Sequence, residues 1–426
     1  MRWVVAALCV VPIASAGRVV SVGYGTPAAL RGLHVVSRVA ALRTAEVRVA
    51  GVRAERALRS RPGIRFVQRT VSRSEMGAPS VPLTRTISIP EWQWTAMHAD
   101  LVPTWVQQAA HAITIAVIDT GADVLAPSLA AKSPTTWNVV NGSSAVTDSV
   151  GHGTFVASLA AGTTSDPAGM FGFGGDARLM IVQANRGSTG FSDVDEANAI
   201  VYAVDHSANI INLSFGGSQT SQVERTAIDY ATQHGVLLVA AAGNSAEQGN
   251  PTVYPAALIG RNGLVVGAST TGGIRASFST TGSYVDVLAP GVDVLGALAS
   301  GIPLGVFAPA ATPGANGTYG YGTGTSYAAP EVAGAAALVW AANPKLDPAG
   351  VAATLEATAG SQGVWTNDLA FGPIDVAAAV QRAGGAAPPT VAQPVTAKPK
   401  AQKAKKPTAK KTKGRAVTKK PKHARP

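Results

Sequence analysis

Short apolar runs alternate with segments of helical periodicity between residues 91 and 380. Five of these runs are short enough to be buried strands: AITIAVIDTG (112–121), MIVQAN (180–185), NIINLSFGG (209–217), GVLLVAAAGN (235–244) and GLVVGAS (263–269). Helical patterns lie between them, for example at 193–207 and 222–235. Apolar strands that alternate with helices predict an α/β fold with a mostly parallel sheet covered on both faces. In such sheets, an active site is expected beyond the carboxyl ends of the strands.

A separate pattern precedes this region. Residues 18–73 predict a small α+β unit with a first strand RVVSVGY, strand-like runs within 34–51, a short helix at 52–60 and a closing strand at 63–70. Fewer than 60 residues with so many arginines make a marginal domain when isolated. We therefore expect this unit to need a partner surface, and the acidic body that follows offers one.

Charge is divided by segment, so the net charge of +11 describes no single part of the chain. Residues 18–75 hold twelve Arg against three Glu, whereas residues 77–385 hold nine Lys or Arg against 21 Asp or Glu. Residues 386–426 hold thirteen Lys or Arg and no acid, and Lys, Ala, Pro and Thr dominate them. With too few apolar residues to offset the entropy of ordering, this tail is predicted to be disordered.

The amino-terminal residues 1–16 have the pattern of a secretory signal peptide, with one Arg, an apolar run and Ala14-Ser15-Ala16. Cys9 is the single cysteine and lies inside this segment, which excludes disulfides and thiol chemistry from the mature protein. No later run predicts a transmembrane segment, and 332–342 predicts a buried helix. We expect a secreted or cell-surface protein, so residues 398–425 favour anionic cell-wall polymers or lipid headgroups. Nucleic-acid binding and a tail without a partner remain alternatives.

Three candidate catalytic side chains lie at strand or helix ends. Asp119 ends a predicted strand in VIDTGAD, His152 stands between two glycines in GHGTFVASLAAG, and Ser326 precedes an alanine-rich helix in GTSYAAP. Taken alone, each has a structural alternative: a turn cap, a loop histidine and a helix N-cap. Together at the mouth of one parallel sheet, they favour a nucleophile, a base and an orienting carboxylate.

Five motif blocks resemble those of the subtilisin-like serine proteases (subtilases), in that family's order: VIDTGAD, GHGTFVASLAAG, INLSFGG, VAAAGNS and GTSYAAPEVAG. The resemblance covers roughly residues 88–382. It implies a subtilisin-like three-layer fold and a serine endopeptidase in which Ser326 attacks, His152 transfers the proton and Asp119 orients the imidazole. It also implies that the Asn244 side-chain amide stabilises the oxyanion. Without the resemblance, Asn244 would be interpreted as a turn residue.

The same resemblance implies a substrate-binding cleft. The SFGG segment, with Ser214, Phe215 and Gly216, corresponds to the strand that pairs with an extended substrate. The wall of the S1 pocket, which takes the side chain before the cleaved bond, would be formed by Ala241, Ala242 and Gly243. From its position before Tyr254-Pro255, Val253 is a candidate for the pocket floor.

Two residues depart from the family pattern: Tyr327 follows the nucleophile where the family usually has Met, and Glu331 replaces a usual His. Neither change removes a catalytic group, but Glu331 is expected to alter the pH profile. The chemistry needs no cofactor. Structural calcium is common in the family, but no calcium-loop spacing occurs here, and Asp166 and Asp176 are the candidates that remain.

Residues 17–76 resemble, in pattern only, a trimmed subtilase propeptide that inhibits its own enzyme; an independent basic binding module is the alternative. Cleavage is predicted between Met76 and Gly77, leaving a catalytic domain at 77–385 and the tail at 386–426, with cleavage just before Glu91 as the competing possibility. The resulting hypothesis is a secreted, self-processing, monomeric endopeptidase. Its rival is a catalytically silent scaffold that the basic tail anchors to anionic surfaces.

Overall fold

A central sheet, a smaller amino-terminal sheet and the helices around them make up the computed structural model, which describes residues 17–76, 91–163, 170–187, 190–260, 263–302, 307–309, 319–360 and 372–384. The amino-terminal elements are β1 (Arg18–Tyr24), β2 (His34–Val39), β3 (Thr44–Val49), α1 (Val52–Arg59), β4 (Ile64–Arg69) and β5 (Ser72–Glu75). The later strands are β6 (Thr114–Asp119), β7 (Thr135–Asn138), β8 (Arg178–Gln183), β9 (Phe191–Ser192), β10 (Ile210–Leu213), β11 (Phe215–Gly216), β12 (Leu237–Ala241), β13 (Gly263–Ser269), β14 (Val287–Pro290), β15 (Val294–Ala297), β16 (Ala308–Pro309) and β17 (Tyr319–Gly322). The later helices are α2 (Trp92–Ala96), α3 (Thr104–Ala109), α4 (Pro127–Ala130), α5 (His152–Ala161), α6 (Asp193–Asp205), α7 (Gln222–Gln233), α8 (Thr325–Ala342), α9 (Pro348–Thr358) and α10 (Val376–Ala383).

The central sheet has seven strands in the order β14-β13-β12-β10-β6-β8-β7, and neighbouring strands are parallel. Successive side chains of one strand enter different cores: Ile115 and Val117 pack with α5 and α8, whereas Ala116 and Ile118 pack with α6 and α7. This division explains why the strand is apolar at every position, since neither face meets water. The predicted three-layer arrangement with a mostly parallel sheet is confirmed.

Several short strands in the described residues were not among the predicted strands. The short strands β7 and β14 extend the two edges of the central sheet, and β15, β17 and β16 form a separate antiparallel sheet. None of these strands exceeds four residues. Strands of that length carry too few positions for a periodic pattern to stand out against loop sequence.

The amino-terminal unit is a four-stranded antiparallel sheet, ordered β2-β3-β1-β4, with α1 packed on one side. Its secondary structure agrees with the pattern predicted for 18–73. Its own small core includes Val22, Val47 and Leu58. Val39 and Leu42 instead enter the core that contains α6 and α7. The unit therefore completes its burial against the larger body.

The contacts between these two parts match the expectation of arginines lying on an acidic surface only in part: Arg73 pairs with Glu224 of the body, but other contacts involve no arginine of the amino-terminal unit. Ser21 Oγ and Gln68 Nε2 donate to the Asp193 carboxylate at 2.8 and 2.9 Å, so neutral side chains cover the start of α6. In one ion pair the charges are reversed: the cation, Arg186, belongs to the body, and it donates to Glu46 of the amino-terminal unit at 2.7 Å. Apolar packing and neutral hydrogen bonds therefore replace part of the expected charge attraction.

Helix α8 contains the run that was predicted to be a buried helix, and almost all of its residues are buried. Within the described ranges, no helix has the length and apolar character that crossing a bilayer requires. The predicted signal peptide at 1–16 and the predicted tail at 386–426 lie outside the described residues.

Candidate active site

An aspartate–histidine pair lies where β6 ends and α5 begins. His152 Nδ1 is 2.8 Å from Asp119 Oδ1, and both side chains are buried. An ionised carboxylate has no proton to donate, so its oxygen can only accept. The hydrogen bond to Asp119 therefore places the imidazole proton on Nδ1 and leaves Nε2 as the basic nitrogen. The two residues are 33 positions apart in the chain, and the ends of a strand and a helix bring them together.

A second carboxylate holds the loop around this pair. Asp148 accepts hydrogen bonds from Thr120 Oγ1 at 2.8 Å and from the backbone of Thr154 at 2.8 Å, which fixes the loop after β6 to the first turn of α5. Gly153 allows the close approach, because a Cβ there would lie 2.1 Å from the backbone oxygen of Gly121. The position of His152 is therefore set by contacts that involve neither of its ring nitrogens.

Ser326 lies in the first turn of α8 and is fully buried. Its Oγ donates to the backbone oxygen of Ser214 at 2.8 Å, and Ser214 Oγ in turn donates to the backbone oxygen of Ser326 at 2.8 Å. Among the described residues, His152 Nε2 has no hydrogen-bond partner. The serine hydroxyl is thus hydrogen-bonded to Ser214 and not to the imidazole.

The protonation of His152 reflects opposing influences. Burial lowers its pKa, but the charge and hydrogen bond of Asp119 outweigh burial, and Glu75 and Asp148 add to their effect, so the pKa lies above its ordinary value. Tyr327 packs its ring against the imidazole, with ring centroids 5.7 Å apart. Burial raises the pKa of Tyr327, so the phenol stays neutral and acts as an apolar wall.

Asn244 follows β12 and contacts both the start of α8 and the amino-terminal segment. Its Oδ1 accepts from the backbone N–H of Thr325 at 3.0 Å and from Thr325 Oγ1 at 2.9 Å. These two donors fix the amide so that Nδ2 points the other way, where it donates to the backbone oxygen of Met76. No sequence pattern indicates this orienting role of Thr325, because threonine at a helix start is ordinarily a cap.

The segment before Met76 lies in the cleft as a strand. β5 is the middle strand of a three-stranded sheet ordered β11-β5-β9 and is antiparallel to both neighbours. Phe215 pairs with Glu75 and Gly216 with Ser74, and Met76 N–H donates to the Ser214 backbone oxygen at 3.3 Å. The segment that was assigned to substrate pairing therefore holds a strand of this same chain.

The Met76 side chain is only 8% exposed and lies in the same cluster as Ala241 and Val253. Ala242 belongs to the core on the opposite face of the sheet. Gly243 N–H donates to Thr325 Oγ1 at 3.1 Å, which links the pocket wall to the start of α8. Of the residues assigned to the pocket, Ala241 and Val253 thus share a cluster with Met76, whereas Ala242 does not.

Three buried charged residues in the cleft were not identified from the sequence. Arg73 lies in β5, and its guanidinium meets Glu224 of α7 and Glu196 of α6. These residues are more than 120 positions apart from Arg73 in the chain, and no motif connects them.

Glu331 is buried in α8, and within the described part of the chain its carboxyl oxygens have no hydrogen-bond partner. Burial raises its pKa well above the ordinary value, and the charge of Glu91 raises it further. The neutral form of the side chain is therefore favoured up to a higher pH than in an exposed glutamate.

The described residues around the candidate calcium ligands hold no cluster of metal-binding side chains. Asp176 lies near Lys132, whose Nζ donates to the Gly175 backbone oxygen at 2.8 Å. Burial lowers the pKa of Lys132 to about 8, against the raising effect of Asp176. The charge of Asp176 thus already acts on a lysine, and no group of three or more metal-binding side chains occurs in the described ranges. Asp166 lies outside them.

Comparison with known proteins identifies one family. The model of the subtilase family (Peptidase_S8) matches residues 110–386. A thermophilic serine proteinase of Bacillus sp. (strain AK1) is 37% identical over 227 residues, covering 53% of this chain and 51% of that protein. Subtilisin amylosacchariticus of Bacillus subtilis subsp. amylosacchariticus is 34% identical over 279 residues, covering 63% of this chain and 66% of that protein.

Among solved structures, fervidolysin from Fervidobacterium pennivorans, described as a keratinolytic enzyme related to subtilisin, superposes with a TM-score of 0.72 at 25% identity. The match covers 86% of this chain and 61% of that one. The chain thus spans from about half to just under two thirds of the length of these three relatives.

Proposed function

We propose, because the chain belongs to the subtilase family, that it is a secreted, self-processing serine endopeptidase that cleaves peptide bonds through an acyl-enzyme. One observation carries the proposal. The backbone oxygen of Met76 accepts a hydrogen bond from Asn244, in a cleft that also contains Ser326 and the Asp119–His152 pair. A peptide carbonyl is held where a developing negative charge would find a donor.

The chemistry follows from the protonation of the groups. As Ser326 Oγ bonds to the carbonyl carbon, His152 Nε2 takes the hydroxyl proton, and Asp119 stabilises the resulting imidazolium. The oxyanion is stabilised by the Asn244 amide and by the backbone N–H of Ser326. The C–N bond then breaks as His152 protonates the leaving amine, which leaves an ester on Ser326. His152 deprotonates a water that attacks this ester, releasing the new carboxyl end and restoring the serine.

The self-processing part of the proposal concerns residues 17–76 as propeptide and 77–385 as catalytic domain, with Met76-Gly77 as the cleaved bond. The pairing of β5 in the cleft and the burial of Met76 in the core cluster that also contains Ala241 support it. Gly77 lies outside the described residues. Secretion rests on the signal-like pattern of residues 1–16.

Expression of the full chain, in a host without other secreted proteases, tests the function. The wild type should be labelled by a fluorophosphonate, should cleave peptides and should begin at or within a few residues of Gly77. Ser326→Ala should lose all three properties, whereas Ser277→Ala, an exposed serine, should keep them.

The outcomes separate the parts of the proposal. Maturation of Ser326→Ala would refute self-processing, and a mature start beyond Glu91 would refute the cleavage site. A wild type that is neither labelled nor active would indicate the silent scaffold instead.

For the tail, we infer that residues 398–425 attach to anionic polymers or lipid headgroups. Residues 386–426 contain thirteen Lys or Arg and no Asp or Glu, so the segment carries a large positive charge. Deleting 386–426 should leave peptide turnover unchanged and should weaken retention on anionic vesicles or cell walls. The loss should be greatest at low salt, since screening is strong beyond about 10 Å at 0.1 M. Equal retention with and without the tail would refute the attachment.

A further inference from the structure

Two side chains of the cleft strand are buried, and one of them is a cation. Along β5 and Met76, Ser72 and Ser74 are exposed, whereas Arg73 and Met76 are buried. The Arg73 side chain is 0% exposed. Burying a guanidinium is costly unless a partner compensates for its lost hydration. The body of the protein must therefore supply that partner.

Glu224 and Glu196 supply it. Arg73 Nε donates to Glu224 Oε1 at 2.7 Å, and Arg73 Nη2 lies 2.7 Å from the same oxygen. Glu196 Oε2 lies 3.9 Å from Arg73 Nε. Both glutamates are fully buried, like the arginine. Three buried ionisable groups thus meet in one pocket whose acidic walls come from α6 and α7.

The two carboxyl groups are not equivalent. Burial raises the pKa of Glu196 well above its ordinary value, and the nearby charge of Glu224 raises it further. Burial also raises the pKa of Glu224, but the charge and hydrogen bond of Arg73 act in the opposite direction. Glu224 is the group that pairs with the guanidinium directly. An apolar side chain in place of Arg73 would leave the Glu224 carboxylate buried without a countercharge, which proteins tolerate poorly.

The pocket belongs to the cleft and not to the amino-terminal sheet. Arg73 pairs with Phe191 of β9 in the same strand that places the Met76 carbonyl at Asn244. A substrate peptide that replaced this strand would have its attacked carbonyl at the position of Met76. The residue three positions earlier in the peptide would then occupy the position of Arg73 and meet Glu196 and Glu224.

From this geometry we propose that Glu196 and Glu224 form an acidic subsite that selects arginine three residues before the residue whose carbonyl is attacked. The inference rests on the proposed endopeptidase function and deepens it by naming a substrate class. The occupant is a planar, permanently charged side chain, which suits a buried carboxylate better than the more strongly hydrated ammonium of lysine.

The test uses the full chain, expressed and allowed to process itself, with internally quenched peptides based on Ser-Arg-Ser-Glu-Met-Gly. The arginine is replaced in turn by lysine, leucine or citrulline, which is nearly isosteric with arginine but uncharged. For the wild type, kcat/KM should fall by about 100-fold or more from arginine to leucine or citrulline, because the polar pocket is then left unpaired. The kcat/KM of the lysine peptide should lie between that of the arginine peptide and those of the leucine and citrulline peptides.

In Glu224→Gln the arginine-to-citrulline ratio should collapse to within about threefold, since the neutral amide removes the charge that distinguishes these two ligands. Asp229→Asn is the matched control, because Asp229 is an exposed acid of the same helix α7 and its loss should leave the ratio unchanged. If Glu224→Gln is not secreted, the arginine-to-citrulline ratio of the wild type decides the question by itself.

Two failures are distinguishable. An active wild type that cleaves the arginine and citrulline peptides equally would overturn the subsite and leave the endopeptidase function standing. A wild type that cleaves none of the peptides and is not labelled by a fluorophosphonate would overturn the function, and the subsite with it.

Discussion

The orientation of the Asn244 amide leads to a quantitative prediction about catalysis. Thr325 holds Oδ1 through two hydrogen bonds, so Nδ2 is presented to the carbonyl in the cleft before any reaction begins. Asn244→Leu removes one of the two proposed oxyanion donors. Loss of such a donor lowers kcat by about 10²–10³, or about 2.7–4 kcal/mol, a range measured in subtilisin, which belongs to the same family.

KM should change little, because the donor acts mainly on charge that develops in the transition state. Asn244→Asp should lose at least as much, since it keeps both bonds to Thr325 but presents a negative charge to the oxyanion. Thr325→Val removes one of the two hydrogen bonds that orient the Asn244 amide. It should lower kcat about fivefold, which corresponds to the loss of one hydrogen bond of about 1 kcal/mol.

The assay is steady-state cleavage of a quenched peptide, with active enzyme counted by fluorophosphonate titration. Asn198→Ala on α6 serves as a control and should leave kcat unchanged. A loss in kcat below about fivefold for Asn244→Leu, or an effect confined to KM, would refute the assigned role.

Three further outcomes are expected. Since burial is outweighed by Asp119 and the pKa of His152 is raised, the acid limb of kcat/KM against pH should have its midpoint above the value of an ordinary histidine; a midpoint at or below it contradicts this charge balance. Glu331→Leu, measured by thermal unfolding in a Ser326→Ala background, should stabilise by about 1–3 kcal/mol at pH 7. Because the pKa of Glu331 is raised in the folded state, the free energy of unfolding of the wild type falls as pH rises above the pKa of the unfolded state. The difference in stability between Glu331→Leu and the wild type should therefore shrink toward pH 4. Gly334→Ala should destabilise by about 1–3 kcal/mol, because its Cβ would lie 2.6 Å from the Ala160 backbone oxygen, and unchanged thermal unfolding would show that the two helices can separate without cost.

The parts of the molecule that follow from local patterns were predictable. β13 has the same bounds as its apolar run, and Asp119, His152 and Ser326 lie at the strand and helix ends that the motifs indicate. Parallel strands bring their carboxyl ends to one edge, so residues remote in sequence meet there without any long-range signal being needed.

The acidic pocket was not predictable because its residues have adequate local explanations. Glu224 is the third residue after Ser221, whose Oγ accepts from the Glu224 backbone N–H, and this spacing is typical of a capping box. In the structure the Glu224 side chain turns instead to Arg73. A contact across 151 positions leaves no trace in the spacing of either residue.

The placement of β5 in the cleft has a consequence for how inhibition depends on concentration. While Met76 is joined to the rest of the chain, the strand competes with substrates at an effective concentration that a short tether sets in the millimolar range, whatever the protein concentration. Cleavage after Met76 would end that tether and turn an intramolecular contact into an equilibrium between two molecules. Occupancy of the cleft would then fall with dilution, so the volume into which the protein is released would help to determine when the cleft becomes available.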